Sequence, residues 1–356
     1  MGYLLAVLLA LIVLLIITAW LLTFHPQTPV QEQAVVCTQD APLLHPGQPL
    51  KVLSWNLQFM AGKEYVFFYD QLDGNGPDTR PSPAHITSTF AAAARLINAQ
   101  DPDILLLQEL DEGARRTDYQ DQSARLLALL DKPYPCRAET YYWKSAFVPH
   151  PKIMGAVGLK LVTFSKYHID HARRHALPQA PDNPLYMLFN LKRALLECRL
   201  PLTTGGALTL LNTHLEAFGQ GTDIMERQVQ LTTAFLDRLQ AQHLPWLIGG
   251  DFNLLPPGVD RNELHPDGAG LYHDPSEIHP FFDKFHSVIP LDTLTGPQRH
   301  RYFTHHPNNP QVTAPERTID YIFYDGLSLQ QATVLQQEGT GISDHFPIVA
   351  QFKLPE

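Results

Sequence analysis

Apolar runs that break off at a carboxylate, a carboxamide or an imidazole recur along this chain, and that recurrence limits the folds open to it. Leu244 to Ile248 leads through Gly249-Gly250 to Asp251-Phe252-Asn253. Val52-Leu53-Ser54-Trp55 leads to Asn56, and Ile104 to Leu107 leads to Gln108-Glu109. Leu208 to Leu211 leads to Asn212-Thr213-His214. The run from Thr318 to Tyr324 carries Asp320, and Ser343-Asp344-His345 precedes a last apolar run, Phe346 to Phe352. Short apolar runs bounded by glycine and polar residues read as buried strands. Asp251 and Asn253 share one face if the chain stays extended there. Polar groups of this kind gathered at strand ends suit hard cations and phosphoryl oxygens.

Between the strands lie helical patterns. Ala84 to Gln100 places Ile86, Phe90, Ala94 and Ile97 near helical spacing, ahead of Asp101-Pro102. Gln122 to Leu130 is a second helix. A third runs to about Gln240 from a capping box at Asp223-x-x-Glu226. Strands in both halves, with helices between, make this an α+β chain of two sheets packed face to face with helices outside.

Taken in order, the motifs resemble the endonuclease/exonuclease/phosphatase superfamily of metal-dependent phosphoesterases, from Lys51 to Lys353. The resemblance implies a four-layer αββα sandwich of two mixed sheets. Glu109 matches the metal-binding glutamate and Asn56 the asparagine of the first motif, with Asp344 also near the metal. Asp251 matches the aspartate that positions or activates the attacking water, and Asn253 the asparagine on the scissile phosphate. His214 matches a histidine on the phosphoryl or leaving group. His345 is suited to acid or base work near neutral pH, with Asp320 as its orienting partner. Gly155 to Lys166 resembles a glycine-containing strand ending in Ser-Lys in bacterial and neutral sphingomyelinases. Lys166 and Asn212 are read as substrate contacts. The strong ligand candidates are oxygen donors, which points to Mg2+, with Mn2+ as the alternative.

Tyr3 to Phe24 carries no charge. As a helix it spans about 33 Å, enough for a hydrocarbon core of roughly 30 Å. It is expected to be an uncleaved single-pass membrane anchor over residues 1–24. A cleaved signal peptide is the rival, but the run is long for one and no basic residue precedes it. The first basic residue is Lys51, so the side of the membrane is not specified. Residues 25–49, rich in Pro and Gln, read as a flexible tether, and residues 50–356 as the catalytic domain. Met60 to His85 and Leu254 to Thr304 are long loops, the first expected to rim the site with its aromatics packed inward.

The formal net charge of −10 argues against an enzyme that covers duplex phosphates. Arg173, Arg174, Arg299 and Arg301 are expected on solvated faces, and Lys166, if it does not reach substrate, on one with a surface carboxylate. Cys37, Cys136 and Cys198 show no zinc spacing, and one disulfide of unspecified pairing is open to them. The expectation is a membrane-anchored phosphodiesterase acting by direct attack of water, with a lipid headgroup favoured over nucleic acid. A DNA or RNA nuclease is the alternative. A non-enzymatic membrane-tethered scaffold is disfavoured because no motif residue is replaced.

Overall fold

The computed structural model describes residues 2–71 and 73–356; Met1, in the expected anchor, and Leu72, in the first long loop, lie outside the described residues. Helix α1 (Gly2–Leu22) has no buried residue and meets the rest of the described residues at its C-terminal end. The strands follow as β1 (Val30–Gln33), β2 (Val35–Cys37) and β3 (Pro49–Asn56), then helix α2 (Pro83–Gln100) and β4 (Ile104–Asp111). After helix α3 (Gln122–Leu127) come β5 (Cys136–Val148), β6 (Gly155–Ser165), β7 (His171–Ala176) and helix α4 (Pro184–Phe189). Next are β8 (Ala194–Pro201), β9 (Ala207–His214), helix α5 (Ile224–Ala241) and β10 (Trp246–Asp251). The chain closes with β11 (His286–Ser287), β12 (Asp320–Asp325), β13 (Ser328–Val334) and β14 (Ile348–Lys353).

The strands form two mixed seven-stranded sheets, in the orders β13-β14-β3-β4-β6-β5-β2 and β1-β7-β8-β9-β10-β12-β11. Among the described strands, β3/β4 and β9/β10 are the parallel pairs. Strand β4 shows why its apolar run is unbroken. Ile104 and Leu106 enter the core between the sheets, while Leu105 and Leu107 face α2. Both pleat faces are therefore buried. Helix α2 lays Ile86, Phe90, Ala94 and Ile97 against that outer face. It starts at Ser82, whose Oγ accepts the His85 N–H at 3.2 Å, and stops at Asp101 in the left-handed region. Helix α5 covers the second sheet with Val229, Phe235 and Leu236, completing the four layers.

Several expectations need correction. The stretch 25–49 is not a free tether. Strand β1 pairs with β7, β2 pairs with β5, and Leu44 is fully buried. A disulfide joins Cys37 to Cys136, leaving Cys198 buried and free. Proline and glutamine masked strands of three and four residues that gain their pairing from the domain. The Asp223 side chain caps nothing; the Ile224 N–H donates instead to Thr222 Oγ1 at 3.3 Å. Arg174 is buried rather than solvated, donating to the Tyr141 and Lys192 carbonyls. In the first long loop, Tyr65, Phe67 and Tyr69 stack in series, so its aromatics pack inward.

Candidate active site

The C-terminal ends of β3, β4, β9 and β10 meet at one end of the two sheets. Parallel pairing of β3 with β4 and of β9 with β10 brings Asn56, Glu109, His214 and Asp251 to the same level. The connection before β14 adds Asp344 and His345, and the start of β12 adds Asp320.

Local irregularities aim these groups. The register of β4 against β6 shifts between Leu107 and Leu110, and Glu109 takes a φ of +60°. The bulge turns Glu109 out of the ladder and into the site. Gly250 has a φ of +150°, and a Cβ there would strike the Thr213 carbonyl. Close approach of β9 to β10 thus requires glycine, and it sets His214 opposite Asp251.

Asp251 is the hub. Its Oδ2 accepts from Asn56 Nδ2 at 3.0 Å and lies 3.4 Å from His214 Nε2 and 3.6 Å from His345 Nε2. Its Oδ1 accepts the Asn253 N–H at 2.9 Å. Asn56 Nδ2 also reaches Glu109 Oε1 at 3.2 Å. His345 Nδ1 lies 2.8 Å from Asp320 Oδ2, and the Asp320 N–H donates to Thr304 Oγ1 at 3.0 Å. Asp344 Oδ2 accepts from Asn308 Nδ2 at 3.4 Å and lies 3.9 Å from His305 Nε2.

Burial and like charge set the proton affinities. Burial, reinforced by Asp344, raises Glu109. Burial, with repulsion from Asp320, also raises Asp251. Burial disfavours charge on His345, but Asp320, Asp251 and Asp344 outweigh it and push its pKa up to about 10. His214 moves the other way, well below the usual range, because burial and then Arg193 and His345 oppose its proton. The two imidazoles that flank Asp251 are thus shifted in opposite directions.

The donor set fits a hard divalent cation. Glu109, Asp251, Asp320 and Asp344 bring four carboxylates to one end of the sheets, three of them buried and Glu109 partly exposed. Asp251, Asp320 and His345 each offer an atom within 4.8 Å of the others, as do His305, Asp344 and His345. Asn56 departs from its expected part. Its Oδ1 is turned to the Gln58 N–H at 3.0 Å, so it presents a donor that steadies Glu109 and Asp251, not a ligand oxygen.

Two further expectations fail. Asn212 is fully buried and fully bonded: Nδ2 donates to the Leu107 and Val162 carbonyls, and Oδ1 accepts from Gln108. It joins the sheets and meets no substrate. Lys166 sits at the wrong end. Strand β6 runs antiparallel to β4, and Ser165 pairs with Ile104, about 17 Å from Glu109 at 3.3 Å per residue. Lys166 pairs there with Asp101 at 2.7 Å and Asp103 at 3.4 Å. Asn253 is in place, its Nδ2 tied to the Leu215 carbonyl at 3.2 Å.

The site also holds residues the motifs did not flag. Tyr142 from β5 is fully buried, its ring 5.4 Å from His214 and its hydroxyl without a partner among the described residues. Arg193, ahead of β8, lies 5.3 Å from that ring, with Nε and Nη1 likewise unpartnered. Lys63 Nζ donates to the His306 and Pro307 carbonyls, and Asn308 bridges Asp70 to Asp344, so the first long loop and the segment just past Thr304 close over the centre. Strand direction was the available signal for Arg193. If β9 ends in the site, the antiparallel β8 must begin there.

Comparison with known proteins agrees with this picture. The model of the Endonuclease/Exonuclease/phosphatase family matches residues 53–345. A UPF0294 protein of Yersinia enterocolitica is 24% identical over 214 residues, covering 54% of this chain and 68% of its own. An endonuclease/exonuclease/phosphatase from Beutenbergia cavernae superposes with a TM-score of 0.56 at 20% identity, over 86% of this chain and 72% of that one. The human Nocturnin catalytic domain with bound sulfate superposes at 0.50 and 19% identity, over 90% and 97%.

Proposed function

The chain belongs to the Endonuclease/Exonuclease/phosphatase family, and on that premise we propose that it is a membrane-held phosphodiesterase that releases the headgroup of a phospholipid or sphingolipid. It is a phosphoric ester hydrolase of a metal-dependent superfamily. The observation that carries the reaction class is the meeting of Glu109 and Asp251 on Asn56 Nδ2, with His214 and His345 lying 3.4 and 3.6 Å from Asp251.

In this reading Glu109 and Asp344 would hold a divalent cation, Mg2+ by preference, with Asn56 steadying Glu109. The cation would offset charge on the phosphoryl oxygens. Asp251, with its proton affinity raised, takes the proton of the attacking water. His345, kept charged by Asp320, faces the centre through Nε2 and donates to the phosphoryl or leaving oxygen. His214, Tyr142 and Arg193 offer further contacts for the phosphoryl group through buried polar atoms.

Three observations support the lipid substrate and the anchor. Helix α1 is uncharged, long enough to cross a membrane and has no buried residue. The net charge is −10. Arg173, Arg299 and Lys166, which a nucleic-acid track would use, are spent on Glu32, Glu263 and Asp101. The Cys37–Cys136 disulfide favours the oxidising side of the membrane for the domain.

The test offers the full chain in detergent plasmid DNA, single-stranded RNA, and sphingomyelin or phosphatidylinositol phosphate vesicles, in Mg2+ and then EDTA, with Asp251→Ala as control. Mg2+-dependent headgroup release, absent in the control, is expected. Cleavage of nucleic acid alone overturns the lipid reading.

A further inference from the structure

The end of α1 does not trail away from the catalytic domain; it is seated on β5. Ser145 Oγ donates to the Leu22 carbonyl at 3.1 Å, Thr23 forms a β-bridge to Ser145, and Phe24 packs edge-on against Tyr141 at 6.2 Å. Ser145 lies three residues from Tyr142, whose ring is 5.4 Å from that of His214. Those three residues span about 10 Å along an extended strand. The apolar helix therefore joins the domain within about one strand segment of the catalytic mouth.

Register fixes which end of the domain this is. Asp111, just past Glu109, pairs with Leu159, and β6 begins beyond it at Gly155, opposite Val148 of β5. The β5–β6 hairpin tip therefore projects at the same end as the site. Arg115 Nη1 ties the connection after β4 to that tip through the Ile153 and Met154 carbonyls. On its other flank, Trp143 Nε1 donates to the Phe189 carbonyl at the end of α4. Lys192 Nζ bonds the Met187, Leu188 and Asn190 carbonyls, fixing α4 beside Arg193.

These connections hold the exposed aromatic surface of the domain. Outside α1, the exposed aromatic side chains among the described residues are Tyr119, Phe147, Tyr186 and Phe218. Tyr119 follows β4, Phe147 is near the end of β5, Tyr186 is on α4 ahead of β8 and Phe218 follows β9, all at the site's end of the sheets, and Met154 and Leu185 are exposed as well. Tyr186 is 67% and Leu185 53% exposed on a helix whose end is bonded in place. Aromatic and aliphatic side chains grouped around a polar opening are the composition of an interfacial membrane contact.

We propose that this rim docks on the bilayer that holds α1, so that the catalytic mouth faces the lipid headgroups with Phe147, Leu185 and Tyr186 in the interfacial layer. The occupant is the bilayer surface, because α1 ends on the same strand. The inference rests on α1 as a membrane anchor.

The experiment uses the full chain in phosphatidylcholine–phosphatidylglycerol vesicles. Nitroxide labels go on Ile12→Cys in α1, Phe147→Cys and Leu185→Cys on the rim, and Leu231→Cys on α5 as a distant control. Contact with oxygen and with a water-soluble nickel chelate reports depth. Position 12 in hydrocarbon, 147 and 185 at the interface and 231 in water is the expected pattern. Labels at 147 and 185 in water, with 12 in hydrocarbon, overturn the docking and leave the anchor standing. A label at 12 in water overturns the anchor reading and the docking with it. In addition, Leu185→Glu/Tyr186→Glu should cut turnover of a vesicle-embedded phosphodiester about tenfold and leave that of soluble bis(p-nitrophenyl) phosphate unchanged. Equal loss on both substrates overturns the proposal.

Discussion

His345 and Asp320 form the closest charge pair at the centre, Nδ1 to Oδ2 at 2.8 Å, and the pairing leaves Nε2 free 3.6 Å from Asp251. Asp320 thus fixes both the ring orientation and the proton count of His345. Asp320→Asn should lower kcat by about 10²–10⁴-fold with little change in KM. It should also bring the imidazole pKa down from about 10, read by NMR of the ring protons. An unchanged titration would remove Asp320 from this role.

Tyr142 carries a buried hydroxyl without a protein partner. Tyr142→Phe removes a desolvated polar atom, so stability should hold or rise slightly. If the hydroxyl contacts the phosphoryl group, kcat should fall about ten- to hundredfold. Thermal melts and steady-state kinetics on one preparation separate the two effects.

Lys166 pairs with Asp101 and Asp103 at the far end of β4. Lys166→Gln should leave kcat/KM unaltered and cost no more than about 1 kcal/mol in a denaturant titration. A large loss of activity would return it to the site.

Asp70, between the Phe67 N–H and Asn308, has its carboxyl raised to about 7 by burial and by Asp344. Between the unfolded carboxyl range, about 3.9, and pH 7, the folded protein keeps a proton that the unfolded chain has released. Stability from this group is therefore full at low pH and is lost as pH rises through that window. Asp70→Asn should flatten that decline, measured by thermal melts in EDTA. A decline as steep as wild type would place its source elsewhere.

The strands and their polar ends were legible because a strand buried on both faces must be continuously apolar, and the polar group that ends it stands out. Ile104 to Leu107 with Glu109 is the plainest case. Direction was harder to read. Lys166 was misplaced because a strand end looks alike whichever way the strand runs, and only pairing with β4 shows that β6 ends away from the site. His305 and Asn308 were hidden in a loop whose course depends on tertiary contacts such as those of Lys63. Residues 30–37 were unreadable as strands because such short segments gain their pairing only from the assembled domain.

Asn212 was expected to touch substrate, and its bonds have a different consequence. One carboxamide links the carbonyls of β4 and β6, in one sheet, to β9 in the other, with Gln108 closing the bridge. Glu109 follows Gln108 by one residue, and His214 follows Asn212 by two. The two halves of the centre, carried on separate layers, are thus riveted a residue or two from the groups that do the chemistry. Their spacing is set when the sheets close, before any ligand arrives. Asn212→Leu, of similar size, would remove two buried hydrogen bonds at about 1 kcal/mol apiece and would blur the distance between Glu109 and His214 that the rivet holds.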